Sequence, residues 1–320
     1  MTVFLHLMTV TGYPLFFLWY SILKKIPEGA LSMENLKSFD ELTFLDNFMF
    51  QCVLRNPRLC KHLIEKILQI SVKELHYQEF EKTINLGLAS KGIRLDVYVR
   101  DEQGRVYDIE MQCTQFPQKG LAKRSRFYQS MIDMELLEKG EKYENLNASY
   151  IIFICTFDPF GRNLPMYTFT HCCEEENTIK LKDGETRLFL NSKGSENARD
   201  PEIAAFLRYV DGKAAEGEFV RSLDREVQFV KSLEKVRREY MILSDEIRRR
   251  QEEAMAKGMA QGMAKGMAKG MAQGMAQGMA KGQSAFVKRM LARGKSIQEI
   301  ADGLGLSADE IRTLAEMEES

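Results

Sequence analysis

The segment Ser149–Phe157, SYIIFICTF, is an unbroken apolar run closed by Asp-Pro-Phe-Gly. A strand apolar on both sides must be covered on both faces. That requirement confines the chain to a layered α/β arrangement with this strand in the middle of its sheet. Further strands are predicted from MYTFTHCC, from TRLFLNS and from a hairpin over residues 94–112. Together they make a sheet of about five strands with helices on its faces.

The hairpin, RLDVYVRDEQGRVYDIEMQ, alternates apolar Leu95, Val97 and Val99, then Tyr107, Ile109 and Met111. This is the period of a half-buried strand pair. Its other face carries Asp96, Asp108, Glu110 and Gln112, where a simple sheet would place Thr or Lys. A loop of Glu102, Gln103 and left-handed Gly104 pairs Asp101 with Arg105 and fixes the register. Asp96 then stands across from Glu110, and Arg94 across from Gln112, with Asp108 and Tyr98 on the same face. A turn longer by one residue would set Asp96 against Ile109 and mix the two faces. Cross-strand neighbours have Cβ atoms about 5 Å apart, so one divalent cation can bridge the two carboxylates, which repel each other without it. The same pattern also suits a solvated face whose acids pair with Arg94, Arg100 and Arg105.

Six blocks occur in order over about half the chain: LTFLDNFMF, RLDVYV, YDIEMQ, KRSRFYQSMID, LEKGEKYENL and IIFICTFDPFG. In them the sequence resembles the PD-(D/E)XK nuclease superfamily, and more closely its Rpn and putative-transposase branch. The resemblance implies a restriction-endonuclease-like central mixed sheet flanked by helices, here with an α-helical C-terminal extension. It also implies an Asp and a Glu on adjacent strands that bind Mg²⁺, with Mn²⁺ as a substitute, and a Lys or its replacement two residues after the Glu. Asp96 and Glu110 match the metal-binding acids and Gln112 stands in the Lys position. Gln can hydrogen-bond an attacking water but brings no charge to the phosphate. Arg94, expected across the ladder from Gln112, is the candidate for that charge, with Lys123 in reserve; a plain ion pair between Arg94 and Glu110 is the competing role. Asp46 matches an acid on the first helix that helps hold metal, and an N-capping role is equally open. The implied activity is that of a Mg²⁺-dependent DNA endonuclease hydrolysing phosphodiester bonds, linked to recombination or mobile DNA. The rival is a catalytically weak, DNA-associated or regulatory oligomerisation protein.

Lysine plus arginine number 45 against 46 aspartates and glutamates, which excludes a global positive field as the source of DNA affinity. Contact must be local. QKGLAKRSRFYQSMIDMELLEKG reads as an amphipathic helix ending at Gly140, and its Lys119, Lys123, Arg124 and Arg126 are the candidate phosphate contacts. A solvated helix face is the alternative. Two short helices are expected between Phe39 and Lys66, broken at Pro57. The cysteines show no CxxC or Cys/His ligand spacing and read as reduced cytosolic thiols.

Boundaries follow from changes in composition. Residues 1–23 lack Lys, Arg, Asp and Glu, and Lys24 and Lys25 follow. Residues 1–32 are therefore either a membrane anchor or an extension ahead of a true start at Met33, and in both cases the remainder is cytoplasmic. The extension is favoured, so no membrane partner is expected. Residues 33–195 form the nuclease-like domain, and 196–254 a long charged connector helix. Within it, Leu223, Val227, Val230, Tyr240, Leu243 and Ile247 make an exposed stripe over 219–250, the expected surface of a homo-oligomer. Residues 255–282 repeat Met-Ala-Lys/Gln-Gly. Each repeat turns a helix by about 400°, so the methionines form no straight seam. Each glycine costs about 1 kcal/mol against alanine, which leaves a marginal helix or flexible spacer. Residues 283–320 have a helix-turn-helix-like layout, although the second helix is acidic where a DNA reader carries basic or amide side chains.

Overall fold

The computed structural model describes residues 37–80, 83–84, 92–113 and 118–317. The anchor and the start at Met33 lie outside the described residues. The chain divides into two units, the first ending at Asp245 and the second running from Glu246 onward.

The first unit opens with α1 (Asn47–Leu54) and α2 (Pro57–Leu68). Pro57 separates them because proline at the first helical position loses no hydrogen bond. Asn56 caps the new helix, its side chain accepting from the Arg58 amide at 3.1 Å. Six strands follow: β1 (Leu75–Phe80), β4 (Val97–Asp101), β5 (Val106–Gln112), β6 (Ser149–Cys155), β7 (Met166–Phe169) and β8 (Glu185–Asn191). They pair in the order β1-β4-β5-β6-β8-β7, while β2 (Thr83–Ile84) and β3 (Ile93–Arg94) form a separate ribbon. β5, β6 and β8 run parallel and the outer pairs antiparallel, so the sheet is mixed. SYIIFICTF takes the internal position expected of it, buried from both sides. The strand absent from the sequence reading is β1. Its register against β4 slips between Tyr77 and Glu79, and such an irregularity erases the period of two.

Alternation along the strands divides the core into two clusters. Val97, Val99, Tyr107, Ile109 and Met111 join α1 and α2 on one face. Tyr98, Val106, Ile151 and Phe153 join Leu121, Tyr128 and Ile132 of α3 (Gln118–Leu136) on the other. α3 stops short of Gly140. That glycine, at φ +97°, belongs to a separate turn in which the Glu138 amide donates to the Glu141 carboxylate.

Residues 196–254 are not one helix. They hold α4 (Pro201–Val210), α5 (Glu218–Ser232) and the start of α6 (Glu234–Ala292). Gly212 and Gly217, both at positive φ, break the first junction, and extended Leu233 breaks the second. The apolar stripe is not exposed either. Phe219, Val220, Leu223, Val227 and Val230 are buried in the cluster shared with α1 and α2. Arg237 grips Asp40 with two hydrogen bonds of 2.7 and 2.8 Å, and the Tyr240 hydroxyl donates to the Lys37 carbonyl at 2.7 Å. Of the stripe, Leu223, Val227, Val230 and Tyr240 are thus buried in the chain's own core and Leu243 packs against it.

In the second unit the repeat is helical throughout as part of α6, with its methionines exposed. Beyond it, α7 (Ile297–Leu304) and α8 (Ala308–Glu316) each begin with a capping box, Ser296 with Glu299 and Ser307 with Glu310. Left-handed Gly305 turns the chain between them. Val287, Ile300, Ala301 and Ile311 form a small core. Among the described residues no helix is long and apolar enough to cross a membrane.

Candidate active site in the β4–β5 hairpin

The register that brings the acids together is set at the turn. Asp101 accepts from the amides of Gln103 and Arg105, both at 2.9 Å, from Arg105 Nε at 2.5 Å and from the Tyr107 hydroxyl at 2.7 Å. Burial pushes its carboxyl up, but these donors outweigh burial and hold it below the usual carboxylate range. Gly104 sits at φ +79°, and an added Cβ there would lie 2.2 Å from Asn147 Nδ2. The ladder then pairs Arg100 with Val106 and Val97 with Ile109, so its continuation sets Asp96 opposite Glu110.

Each of these two acids is held by the other's strand. Glu110 Oε1 accepts from the Asp96 amide at 2.9 Å, and Asp96 Oδ2 accepts from the Met111 amide at 3.2 Å. The second Asp96 oxygen accepts from Asn47 Nδ2 of α1 at 2.7 Å, and Gln51 Nε2 in turn donates to Asn47 at 2.6 Å. The second Glu110 oxygen meets Arg124 Nη2 of α3 at 2.6 Å, and Arg124 Nη1 donates to Gln112 Oε1 at 2.7 Å. Arg124 is itself fixed by the Tyr128 hydroxyl at 2.9 Å and lies over the Tyr128 and Phe153 rings. The helix on one face and the helix on the other thus each send one side chain to the acid pair.

Asp96, Asp108, Glu110 and Gln112 are all buried. Burial raises the Asp96 carboxyl against the opposing pull of Asn47 and Arg94. Burial and the Asp96 charge push Glu110 up to about 8, Arg124 acting the other way. Asp108 is driven well above its usual range by burial and by the charges of Glu110 and Asp96. Neither Asp108 oxygen meets a hydrogen-bond donor among the described residues. Asp96 and Glu110 offer the oxygen donors and negative charge that a divalent cation takes, with the guanidinium groups of Arg124 and Arg94 acting on them.

The structure brings Asp96, Glu110 and Gln112 together as the sequence reading expected, and moves the other candidates. Arg94 does not face Gln112. The chain bends at Asp96, so the ladder with β5 ends there and exposed Arg94 pairs with Thr83 in the β2–β3 ribbon. The cation on Gln112 is Arg124, read from sequence as a phosphate contact. Asp46 does not turn to the acid pair. One of its oxygens accepts from the Thr43 amide and hydroxyl at 2.7 and 2.9 Å, and the other binds Lys37 at 2.7 Å. Its neighbour Asn47 reaches Asp96 instead. Lys123 and Arg126 are exposed on α3, while the side chain of Lys119 lies outside the described residues. The spacing Arg124–Tyr128, one helical turn on the face that also buries Leu121, is the sequence signal that marks Arg124 as inward-facing.

The family whose model matches residues 48–257 is described as PD-(D/E)XK nuclease family transposase. The chain belongs to this family. Searches of curated proteins and of solved structures give no match. In this PD-(D/E)XK chain the matched segment contains the whole hairpin and α3, hence Asp96, Glu110, Gln112 and Arg124, while Asn47 lies just ahead of it. The mixed sheet with helices on both faces is the architecture that the family resemblance implies. Among the described residues, the group of three or more possible metal ligands whose ligand atoms lie within 4.8 Å of one another is His171, Asp183 and Glu185, away from the hairpin. Ion pairs account for it: His171 Nδ1 lies 2.6 Å from Asp183, and Glu185 pairs with Arg187.

Proposed function

We propose that this chain is a divalent-cation-dependent DNA nuclease that hydrolyses phosphodiester bonds, acting in recombination or on mobile DNA. The observation that carries the reading is the buried Asp96–Glu110 pair, each acid clasped by the other's strand and neither pointed into bulk water. Asp96 and Glu110 would hold the Mg²⁺, with Mn²⁺ as a substitute. Bound there, the cation supplies an activated water and offsets charge on the phosphate.

The chain's own residues do the rest. Asn47, braced by Gln51, fixes the Asp96 carboxylate. Arg124 orients Glu110 and Gln112 together through separate guanidinium nitrogens. It also places at the Gln112 position the positive charge that Gln112 lacks, which supports transition-state charge where a Lys would otherwise do so. Lys123 and Arg126, exposed on the same helix, are the local phosphate contacts that a chain of balanced charge requires.

The test is cleavage of supercoiled DNA with Mg²⁺ or Mn²⁺ by the unaltered chain and by Glu110→Ala. Metal-dependent nicking that disappears in the variant supports the nuclease. DNA binding without cleavage in either metal would support the catalytically weak, DNA-associated role instead.

A further inference from the structure

Parallel strands leave their carboxyl ends on one edge of a sheet, and in open α/β sheets ligands bind in the crevice outside that edge. Here β5, β6 and β8 run parallel. Cys113 follows β5, Thr156 follows β6, and Lys193 lies in the short 3₁₀ helix Ser192–Asn197 that continues β8. All three residues line one cavity of about 480 Å³. Pockets for single small ligands run roughly 300–1,000 Å³, so the space suits one small unit and is closed to a duplex. The reaction above gives this cavity no task.

Two lysines stand at its rim. Lys37 pairs with Asp46 at 2.7 Å and Lys193 with Asp211 at 2.5 Å. The lysine side chains are 51% and 55% exposed and each carboxylate only 20%, so the acids brace from beneath and the ammonium groups face outward. An ammonium carries three N–H donors, and one spent on an aspartate leaves two for the oxygens of an anion. The braces are themselves held. Asp46 accepts from the Thr43 amide at 2.7 Å, Asp211 from the Ser192 hydroxyl at 3.2 Å, and buried Asn191 from the Lys193 amide at 2.9 Å. Thr156 adds a hydroxyl to the wall, and Leu45 and Val210 add apolar surface. Anionic oxygens joined to a part-apolar, part-polar body are what a nucleotide presents to such a wall.

The cavity borders the acid pair at two points. Asp46 precedes Asn47, whose side chain holds Asp96, and Cys113 follows Gln112, which Arg124 ties to Glu110. The Cys113 thiol closes that corner by donating to the Leu45 carbonyl at 3.3 Å. Consecutive Cα atoms lie about 3.8 Å apart, so the cavity begins one residue away from the groups that hold both acids. We infer that the cavity is the subsite for one unpaired nucleotide of the cut strand, beside the scissile phosphate, with Lys37 and Lys193 on its phosphate. The inference takes its ligand, a DNA strand, from the nuclease reading. It adds a substrate class: DNA that is single-stranded or unpaired next to the cut.

The experiment measures binding of a fluorescent single-stranded oligonucleotide to the full chain in chelator, so that no cleavage intervenes. Lys37→Met and Lys193→Met keep the stem and remove the charge. Each is expected to weaken binding at least about fivefold and to lower the salt slope by about 0.7. Lys73→Ala is the control: Lys73 lies at the opposite end of the sheet, where its amide meets Glu102 of the hairpin turn, and binding should stay within about twofold. A second readout needs no variant. Iodoacetamide labels exposed thiols, and bound oligonucleotide should slow labelling of Cys113 at least about fivefold while leaving exposed Cys172 unchanged. Binding by both lysine variants within about twofold of the unaltered chain, or no protection of Cys113, would overturn the subsite. Nicking lost in Glu110→Ala would still leave the nuclease standing in that case. Protection of Cys113 in a chain that nicks DNA in neither metal would instead overturn the nuclease and leave the cavity as a strand-binding site.

Discussion

Arg124 binds Glu110 and Gln112 through separate nitrogens while stacked on two rings. Arg124→Ala should reduce cleavage by at least about tenfold, and Arg124→Lys should recover only part of it, because an ammonium cannot span both partners with a planar fork. Steady-state kinetics on a nicking substrate checks both. Asn47 and Asp46 make a sharper pair. Asn47→Ala removes a donor from a buried carboxylate and should cost about 1–3 kcal/mol of stability and weaken Mn²⁺ binding. Asp46→Ala, whose bonds run to Thr43 and Lys37, should leave Mn²⁺ binding intact. At this scale the sequence made Asp96, Glu110 and Gln112 readable, because alternation and turn length decide which residues share a strand face. It did not make Asn47 and Arg124 readable as their partners. Those contacts depend on how two helices are set against the sheet, which no local period encodes.

Among the elements, the hairpin sets the geometry of the whole site, and its turn is its weak point. Gly104→Ala faces both a positive φ and the Asn147 side chain, and should destabilise the chain by about 1–2 kcal/mol in denaturant unfolding. Asp101 gives the hairpin an acid-sensitive clasp. Its folded pKa is depressed, so its stabilisation is complete above the ordinary value of 3.8 and is lost as pH falls through the lower folded value. Asp101→Asn should flatten the acid limb of the stability curve below that pH. Helix α3 presents Lys123 outward, and Lys123→Ala should weaken DNA binding evenly across sequences and lower the salt slope by about 1. The clean period of two in β5 and the unbroken apolar run of β6 make both strands legible in the chain. β1 was missed because its register slips against β4. The stripe of α5 was recognised as apolar, but whether such a stripe meets a second copy or its own core is a tertiary fact.

For the whole molecule, the three raised carboxyls tie stability to pH. A carboxyl whose folded pKa is raised binds more protons folded than unfolded. Its contribution is complete below the ordinary carboxylate range and is lost as pH rises, for Glu110 between its ordinary 4.5 and about 8. In chelator, the thermal midpoint should therefore fall across that window, and Mn²⁺ should restore it most at the alkaline end. Val227, buried in the core shared by α1, α2 and α5, bears on the oligomer. Val227→Asp should unfold the first unit rather than merely separate copies, seen as lost secondary structure at all protein concentrations. The most direct measurement of the central claim is an anomalous difference map from crystals of the chain grown with Mn²⁺. A peak touching the carboxylates of both Asp96 and Glu110 is the predicted result. A map with no peak there, or with its peak on His171, Asp183 and Glu185 instead, would contradict it.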